Sequence, residues 1–314
     1  MGLLLLKSCY DWGRMIPLTI ITASFQQGQF IRRTIESVLT SGIIDLEYLV
    51  YDGGSSDETL AVLADFQGRL NWTSEPDRGQ SHAINKGLTA ARGAIVGWLN
   101  SDDLYTSEAL STVLAAFAAD PSADVVYGDA RYIDESDQDL GPYPVEAWSP
   151  DRLREECFLA QPAVFVRRRV IERVGLLDEG LHYAMDYDYW LRMVNTGMRV
   201  VHLPRVLAKC RLHGEAKTVI GGLPLAREVF EVQRRHSDGV SENAIRRYVR
   251  ELVQERGFGP DSHPILHRLA AAPLAQAFTL RYAPRQFGKL IKWQLDWPFR
   301  WLRKQGRTGP SSPP

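Results

Sequence analysis

Two adjacent carboxylates, Asp102 and Asp103, close an apolar run, Ala94-Ile95-Val96-Gly97-Trp98-Leu99, that follows a turn-prone Arg92-Gly93. Neighbouring carboxylates repel, so a buried strand that ends in a pair of them needs a counter-charge. At the carboxyl end of a parallel strand, where open α/β sheets bind ligands, a divalent cation carrying a phosphate supplies one. The competing reading is a solvated turn in which an Asp caps the next helix. A second strand-like run, Tyr48-Leu49-Val50-Tyr51, ends in Asp52-Gly53-Gly54. An ionised Asp52 only accepts hydrogen bonds and so suits the N–H of a nucleobase, while the glycines let backbone approach a planar ligand. A simple turn aspartate is the alternative.

Three more positions have the chemistry of a site. Ala184-Met185-Asp186-Tyr187-Asp188 opens a helix with two acids, which point about 200° apart at helical spacing. Asp188 has Arg192 at i+4 for a surface ion pair, which leaves Asp186 as the candidate general base, N-capping being its alternative. Arg78, in Pro76-Asp77-Arg78-Gly79, stands where a helix begins, and dipole and guanidinium would attract a phosphate or a base together. His213 follows a β-rich run and would complete a metal site of oxygen ligands, or serve packing alone. Lys86 reads as a solvated helix charge and His82 as a packing or surface histidine. No Gly-x-Gly-x-x-Gly follows the first strand, and no Walker-type Gly-Lys-Ser/Thr occurs, which disfavours dinucleotide dehydrogenases and P-loop enzymes.

These positions fall at the ends of alternating elements. Strand-like runs at 18–23, 48–51, 70–74, 94–99 and 124–127 alternate with helical stripes such as Ile31-Ile35-Val38-Leu39 and Leu110-Val113-Leu114-Phe117. Such alternation predicts a doubly wound, mainly parallel sheet. Residues 134–150, rich in Asp, Pro and Gly, read as a loop. Strands are expected at 162–166, 199–203 and 206–212, an amphipathic helix through Tyr187, Trp190, Leu191 and Val194, and further helices near 223–236 and 241–256.

The chain has 314 residues, 45% of them apolar, and a formal charge of −1. That suffices for one large α/β domain with an appendage and argues against a nucleic-acid partner for the whole. Three isolated cysteines, Cys9, Cys157 and Cys210, form no disulfide or metal pattern and fit a reducing, cytoplasmic setting. Met1–Leu6 is too short for a membrane span or a signal segment and reads as an N-terminal extension over residues 1–16. The segment 281–307 differs: eight basic residues stand against Asp296 alone, for a net charge of +7, with Trp293, Trp297 and Trp301 interleaved. A basic amphipathic segment of this kind points to a membrane surface, or else to a helix packed on the domain with its basic face in solvent.

Taken in order, Tyr51-Asp52-Gly53-Gly54-Ser55-Ser56-Asp57, Asp77-Arg78-Gly79-Gln80-Ser81, Asn100-Ser101-Asp102-Asp103, Gln161-Pro162, Asp186-Tyr187-Asp188-Tyr189-Trp190-Leu191-Arg192 and Arg211-Leu212-His213 form a specific set. Over roughly residues 17–220 it resembles family 2 of the inverting glycosyltransferases, of the bacterial cell-surface polysaccharide type. The resemblance implies a GT-A fold, an α/β doubly wound sheet flanked by helices, with 221–314 as a C-terminal helical region ending in the basic tail. It implies that Asp52 contacts the nucleobase, Asp102 the donor ribose, and Asp103 with His213 a Mn²⁺ or Mg²⁺ ion. Thr22, Ser24 and Arg78 join the nucleotide pocket, and Asp186 is the catalytic base. Two positions depart from the pattern: Asn100 stands where many members have an acid, and Met185 where many have Glu. The expected reaction is transfer of a sugar from a nucleotide-diphosphate donor to a saccharide or lipid-linked saccharide, at the inner face of the cell membrane. The alternatives are a non-catalytic nucleotide- or carbohydrate-binding module and a sugar nucleotidyltransferase. The second would need a basic, Gly-rich loop where Ser24-Phe25-Gln26-Gln27-Gly28 stands.

Overall fold

The computed structural model describes residues 17–260 and 262–288. They fall into two compact units, one made of the residues up to Leu153 with Cys157–Ile220, the other of Arg154–Glu156 with the residues from Gly221 on. The first carries, in chain order, β1 (Leu18–Ser24), α1 (Ile31–Leu39), β2 (Leu46–Asp52), α2 (Thr59–Asp65), β3 (Asn71–Ser74), α3 (Gln80–Ala90), β4 (Ile95–Trp98), β5 (Leu104–Tyr105) and α4 (Ala109–Ala119). There follow β6 (Val125–Ile133), β7 (Asp139–Pro142), α5 (Pro150–Glu155, of which Arg154 and Glu155 count with the second unit), β8 (Val164–Arg167), α6 (Arg168–Val174), α7 (Met185–Asn195), β9 (Val200–Arg211) and α8 (Lys217–Ile220).

The strands form one sheet in the order β3-β2-β1-β4-β8-β6-β9-β5, with β7 paired to β6. Its first half is parallel, as alternation of strands and helices requires. β1 is buried along its whole length, which its near-continuous apolar run matches. Its two threonines are satisfied sideways: Thr19 Oγ1 donates to Glu47 at 2.6 Å, and Thr22 Oγ1 lies 3.1 Å from the Tyr48 hydroxyl. Beyond β4 the sheet becomes mixed, because β8 is inserted antiparallel between β4 and β6. A 3-10 turn, Gln161–Ala163, precedes β8. Gln161 Nε2 donates to the Trp98 carbonyl at 2.7 Å, so the chain starts β8 at the carboxyl end of β4 and must run backwards.

Two expectations change. Residues 134–150 are not all loop: β7 folds back on β6 with Arg131 opposite Pro142. The two expected strands at 199–212 are one, β9, which keeps pairing with β6 through register shifts on either side of the Asp129–Val206 pair, the first of which bypasses Pro204 and Arg205. Proline withholds an N–H from the ladder and the strand bulges past it.

Aromatic packing ties the sheet to α7. Trp98, at the end of β4, stacks on Trp190 with ring centroids 5.1 Å apart, and Tyr189 meets Trp98 edge-on. Gly97 has no room for a side chain there: a Cβ would sit 2.7 Å from the Phe165 ring.

The second unit contains α9 (Gly222–His236), α10 (Glu242–Glu255) and α11 (Pro264–Tyr282). Phe230, Ile245, Val249, Val253 and Ala275 are buried together as its core. Ser241 caps α10, its hydroxyl accepting from the Ala244 N–H. α9 and α10 stand where the periodicity predicts helices. α11 was not anticipated, because its apolar residues go round the whole helix and leave no stripe to read. The N-terminal extension 1–16 and residues 289–307 of the basic tail lie outside the described residues.

Candidate active site

The carboxyl ends of the parallel strands open onto a cavity of about 730 Å³. Ser24, Gly53, Asp77, Gln80, Asn100, Asp102, Asp103, Asp186, Arg211, His213 and Lys217 all line it. Residues scattered over nearly 200 positions meet here because the sheet aligns strand ends: Ser24 is the register partner of Asp52, and Asp52 of Ser74. A cavity of this size is ordinary for a small-molecule site.

The two adjacent acids have different surroundings. Asp103 is buried, with Oδ1 accepting from the Arg211 N–H at 2.9 Å and Oδ2 from Asn100 Nδ2 at 3.1 Å. Burial, reinforced by the Asp102 charge, pushes its carboxyl well above the usual carboxylate range. Asp102 is more open, its side chain 22% exposed, and its Oδ2 lies 3.0 Å from His213 Nε2. That hydrogen bond raises the imidazole above its ordinary value. Arg211, sealed against the Phe30 ring, donates from Nε to the Asp102 carbonyl at 2.8 Å and pairs with Asp137. The strand-end turn is therefore held rigidly, and the carboxylate aimed outward is Asp102.

Asn100 has a specific place in this arrangement. Its Oδ1 accepts from Gln80 Nε2 at 2.7 Å while its Nδ2 serves Asp103. Gln80 in turn accepts from Lys217 Nζ at 2.8 Å, and Lys217 also donates to the His182 carbonyl. An ionised acid at position 100 has no donor for Asp103. The amide joins α3, the strand-end turn and α8 in one polar chain.

Asp186 sits in the first turn of α7, one helical turn before Trp190, so the Trp98–Trp190 stack fixes where its carboxyl points. Its Oδ1 accepts from the Tyr187 N–H, and burial pushes its carboxyl up to about 6. Asp188, by contrast, is buried and paired with Arg192 at 2.8 Å. The expected surface ion pair is thus an interior one, with Arg192 also donating to the Val174 and Leu176 carbonyls.

Three expected binding residues stand elsewhere than the cavity wall. Thr22 is buried against Tyr48. Asp52 is buried under the wall, its carboxylate taken by the Gly54 and Ser55 N–H groups and the Ser55 and Ser74 hydroxyls. Arg78 points outward to Glu179, with Nη2 2.6 Å from Oε2, and its neighbours Asp77 and Gln80 face the cavity instead. Lys86 pairs with Glu75 on the surface. The readings from residue types singled out neither Asp77, Gln80, Arg211 nor Lys217. A signal existed for Asp77: a Cβ on Gly53 would sit 3.0 Å from its Oδ2, so the glycine makes room for that acid.

For a metal, the described residues hold no cluster of three or more His, Cys, Asp or Glu side chains. Asp102 and His213 give one oxygen and one imidazole nitrogen. Such a pair suits a hard cation that takes few protein ligands and completes its shell with phosphate oxygens and water, and not one that needs a full protein cage.

Comparison with known proteins bears on both fold and family. The profile of Glycosyl transferase family 2 matches residues 19–170. The chain is 30% identical over 201 residues to the O-antigen biosynthesis protein RfbC of Myxococcus xanthus, covering 62% of this chain and 16% of that protein. It is 29% identical over 211 residues to a chondroitin synthase of Escherichia coli, covering 66% and 30%. The chain therefore spans less than a third of the length of these relatives. Among solved structures, S. aureus TarS 1–349 with UDP-GlcNAc superposes with a TM-score of 0.61 at 14% identity, over 86% of this chain and 82% of that one. The mannosyltransferase PcManGT of Pyrobaculum calidifontis, solved with GDP-Man and Mn²⁺, gives 0.51 at 18%, over 94% and 85%. The mixed sheet with its ligand-side cavity is accordingly a GT-A fold, and residues 19–170 match glycosyl transferase family 2.

Proposed function

We propose that the protein is an inverting glycosyltransferase that moves a sugar from a nucleotide-diphosphate donor to an acceptor hydroxyl, in assembly of cell-surface polysaccharide or glycolipid. The observation that carries this reading is one cavity lined both by Asp186, with its carboxyl raised to about 6, and by the Asp102–His213 pair. The relatives named for O-antigen, chondroitin and hyaluronan synthesis support the polymer setting.

Asp186 removes the proton from the acceptor hydroxyl as that oxygen attacks the anomeric carbon. The bond to the leaving diphosphate breaks on the opposite face, its electron pair goes to the phosphate oxygen, and the configuration inverts. A carboxylate that titrates near 6 is ionised at neutral pH yet more basic than an ordinary one, which suits this role. Asp102 and His213 are the residues to hold Mn²⁺ or Mg²⁺, which when bound acts as a Lewis acid on the leaving diphosphate. Asp103, with both oxygens engaged, supports the turn from beneath. Lys217, held by Gln80, places a cation on the same wall. Ser24, Gly53 and Asp77 form the nucleotide side of the wall, with Asp52 and Thr22 bracing it.

No helix among the described residues is long and apolar enough to cross a membrane. The basic segment 281–307 supports peripheral attachment at the inner face of the cell membrane, where a lipid-linked acceptor is available.

A donor panel of UDP-, GDP- and dTDP-sugars with Mn²⁺ or Mg²⁺ tests the reaction. Release of nucleoside diphosphate that rises with added acceptor and disappears in Asp186→Asn is expected. Donor binding without any turnover, across panel and acceptors, would leave a binding module. Chelation by EDTA is expected to weaken nucleotide binding, read by calorimetry; unchanged binding would remove the metal from the reading.

A further inference from the structure

A helix on the surface of a folded unit presents polar residues to water and apolar ones to the core. α10 obeys this, with Asn243, Arg247, Arg250, Gln254 and Glu255 outward. α11 does not. Its inner side packs Leu274, Ala275, Phe278 and Tyr282 into the core of the helical unit. Its outer side exposes Ile265 (74%), Leu266 (48%), Leu269 (69%), Pro273, Ala277 and Leu280 (55%). Ile265, Leu269, Pro273, Ala277 and Leu280 recur at i, i+4, i+8, i+12 and i+15 and, with Leu266 beside the first, form one stripe along a 19-residue helix. Phe258, just before the helix, is exposed as well.

We infer that this outer face of α11 is a lipid-contacting surface that lies in the headgroup region of an anionic bilayer. The inference rests on the membrane attachment proposed above and assigns it to a second element, distinct from the tail. Charge selects this occupant. α11 contains no acid, and exposed Arg281 and Arg285 stand at its C-terminal end, where the eight-to-one basic segment begins. A second copy packed parallel would bring these cationic ends together, and one packed antiparallel would bring no acid of α11 to meet them. Residues 289–314 folded over the stripe would add their own positive charge to the same place. An anionic lipid surface alone supplies both an apolar phase for the stripe and counter-charge for its flank. The helix lies along such a surface rather than through it, since its inner side is already engaged in protein core.

Flotation of the full chain with phosphatidylcholine vesicles, with and without 30% phosphatidylglycerol, tests the assignment. The double variant Ile265→Glu/Leu269→Glu, altered only at exposed positions, is expected to lose at least tenfold in binding to anionic vesicles. Leu269→Trp is expected to gain severalfold, so loss of fold cannot mimic the pattern. Neutralising Lys289, Lys292, Arg300, Arg303, Lys304 and Arg307 to Gln tests the tail separately. If that variant loses binding while the α11 variants match the unaltered chain, membrane attachment stands and the α11 surface is overturned. Failure of the unaltered chain to bind either vesicle overturns both. A dimer in light scattering that the Glu variant dissolves, with vesicle binding unchanged, overturns the lipid in favour of a second copy.

Discussion

At the scale of single residues, the cavity gives acids of the same type different surroundings. Asp186→Asn keeps the shape of the side chain and removes the base, so transfer is expected to fall about 10²- to 10⁴-fold with donor affinity unchanged. In the unaltered chain, log(kcat/KM) is expected to fall with unit slope below about pH 6, the value to which burial lifts Asp186. A profile flat to pH 4.5 would remove Asp186 from the base role. The same shift makes a stability prediction. Because the folded-state value lies above the unfolded one, the folded chain holds a proton between about pH 4 and 6 that the unfolded chain has lost. Stability therefore declines as pH rises through that window. Asp186→Asn escapes the decline, and its Tm advantage is expected to be absent at pH 4 and to reach a plateau above pH 6. The adjacent acids separate likewise. Asp102→Ala is expected to abolish metal-dependent nucleotide binding with little change in Tm. Asp103→Ala leaves the Arg211 N–H and the Asn100 amide without their acceptor and is expected to cost about 1–3 kcal/mol. Equal Tm values for the two variants would contradict this division.

At the scale of elements, α7 and β4 form the frame. Trp190 is fully buried and stacked on Trp98, so Trp190→Ala is expected to cost about 3–5 kcal/mol and to lower kcat as well, because Asp186 one turn away loses its anchor. Thermal unfolding and turnover read the two effects; lost stability with unchanged kcat would detach the stack from catalysis. Arg192→Ala is a related test. It takes the Arg192 partner from the buried Asp188 carboxylate, and a buried pair broken in this way costs about 3–5 kcal/mol. These elements were legible in the sequence wherever periodicity is strong. β1, β2, α1 and α4 fall within a residue or two of the runs that announce them. β7 was hidden in an Asp-, Pro- and Gly-rich stretch, and α11 in a run apolar on every side. β7 exists because β6 offers it an edge, and α11 because α10 covers one of its sides.

At the scale of the whole molecule, the two units have separate apolar cores, one under the sheet and one around Phe230. Phe230→Ala is expected to cost about 3–5 kcal/mol in the helical unit alone. Calorimetry should then show a new low-temperature transition while nucleotide binding persists below the main one; a single shifted transition would mean that the units unfold together. The sequence by itself determined the α/β alternation, the strand ends at which acids gather, and the ordered set Asp52, Asp102–Asp103, Asp186 and His213. The first two follow from spacing and residue type, which are local, and the set follows from the resemblance to family 2. Tertiary structure alone decided which acid of the pair is the more exposed, because the Arg211 N–H and Asn100 that engage Asp103 come to it through the fold. It also decided that Asp77 and Gln80 face the cavity while Arg78 turns to Glu179, 101 residues away. Direction around a turn and pairing across a sheet are set by what packs on the other side, and no run of residues carries that information in its own spacing. The Asp102–Asp103 turn shows both halves of the matter: sequence announced the pair, and packing gave each member different surroundings.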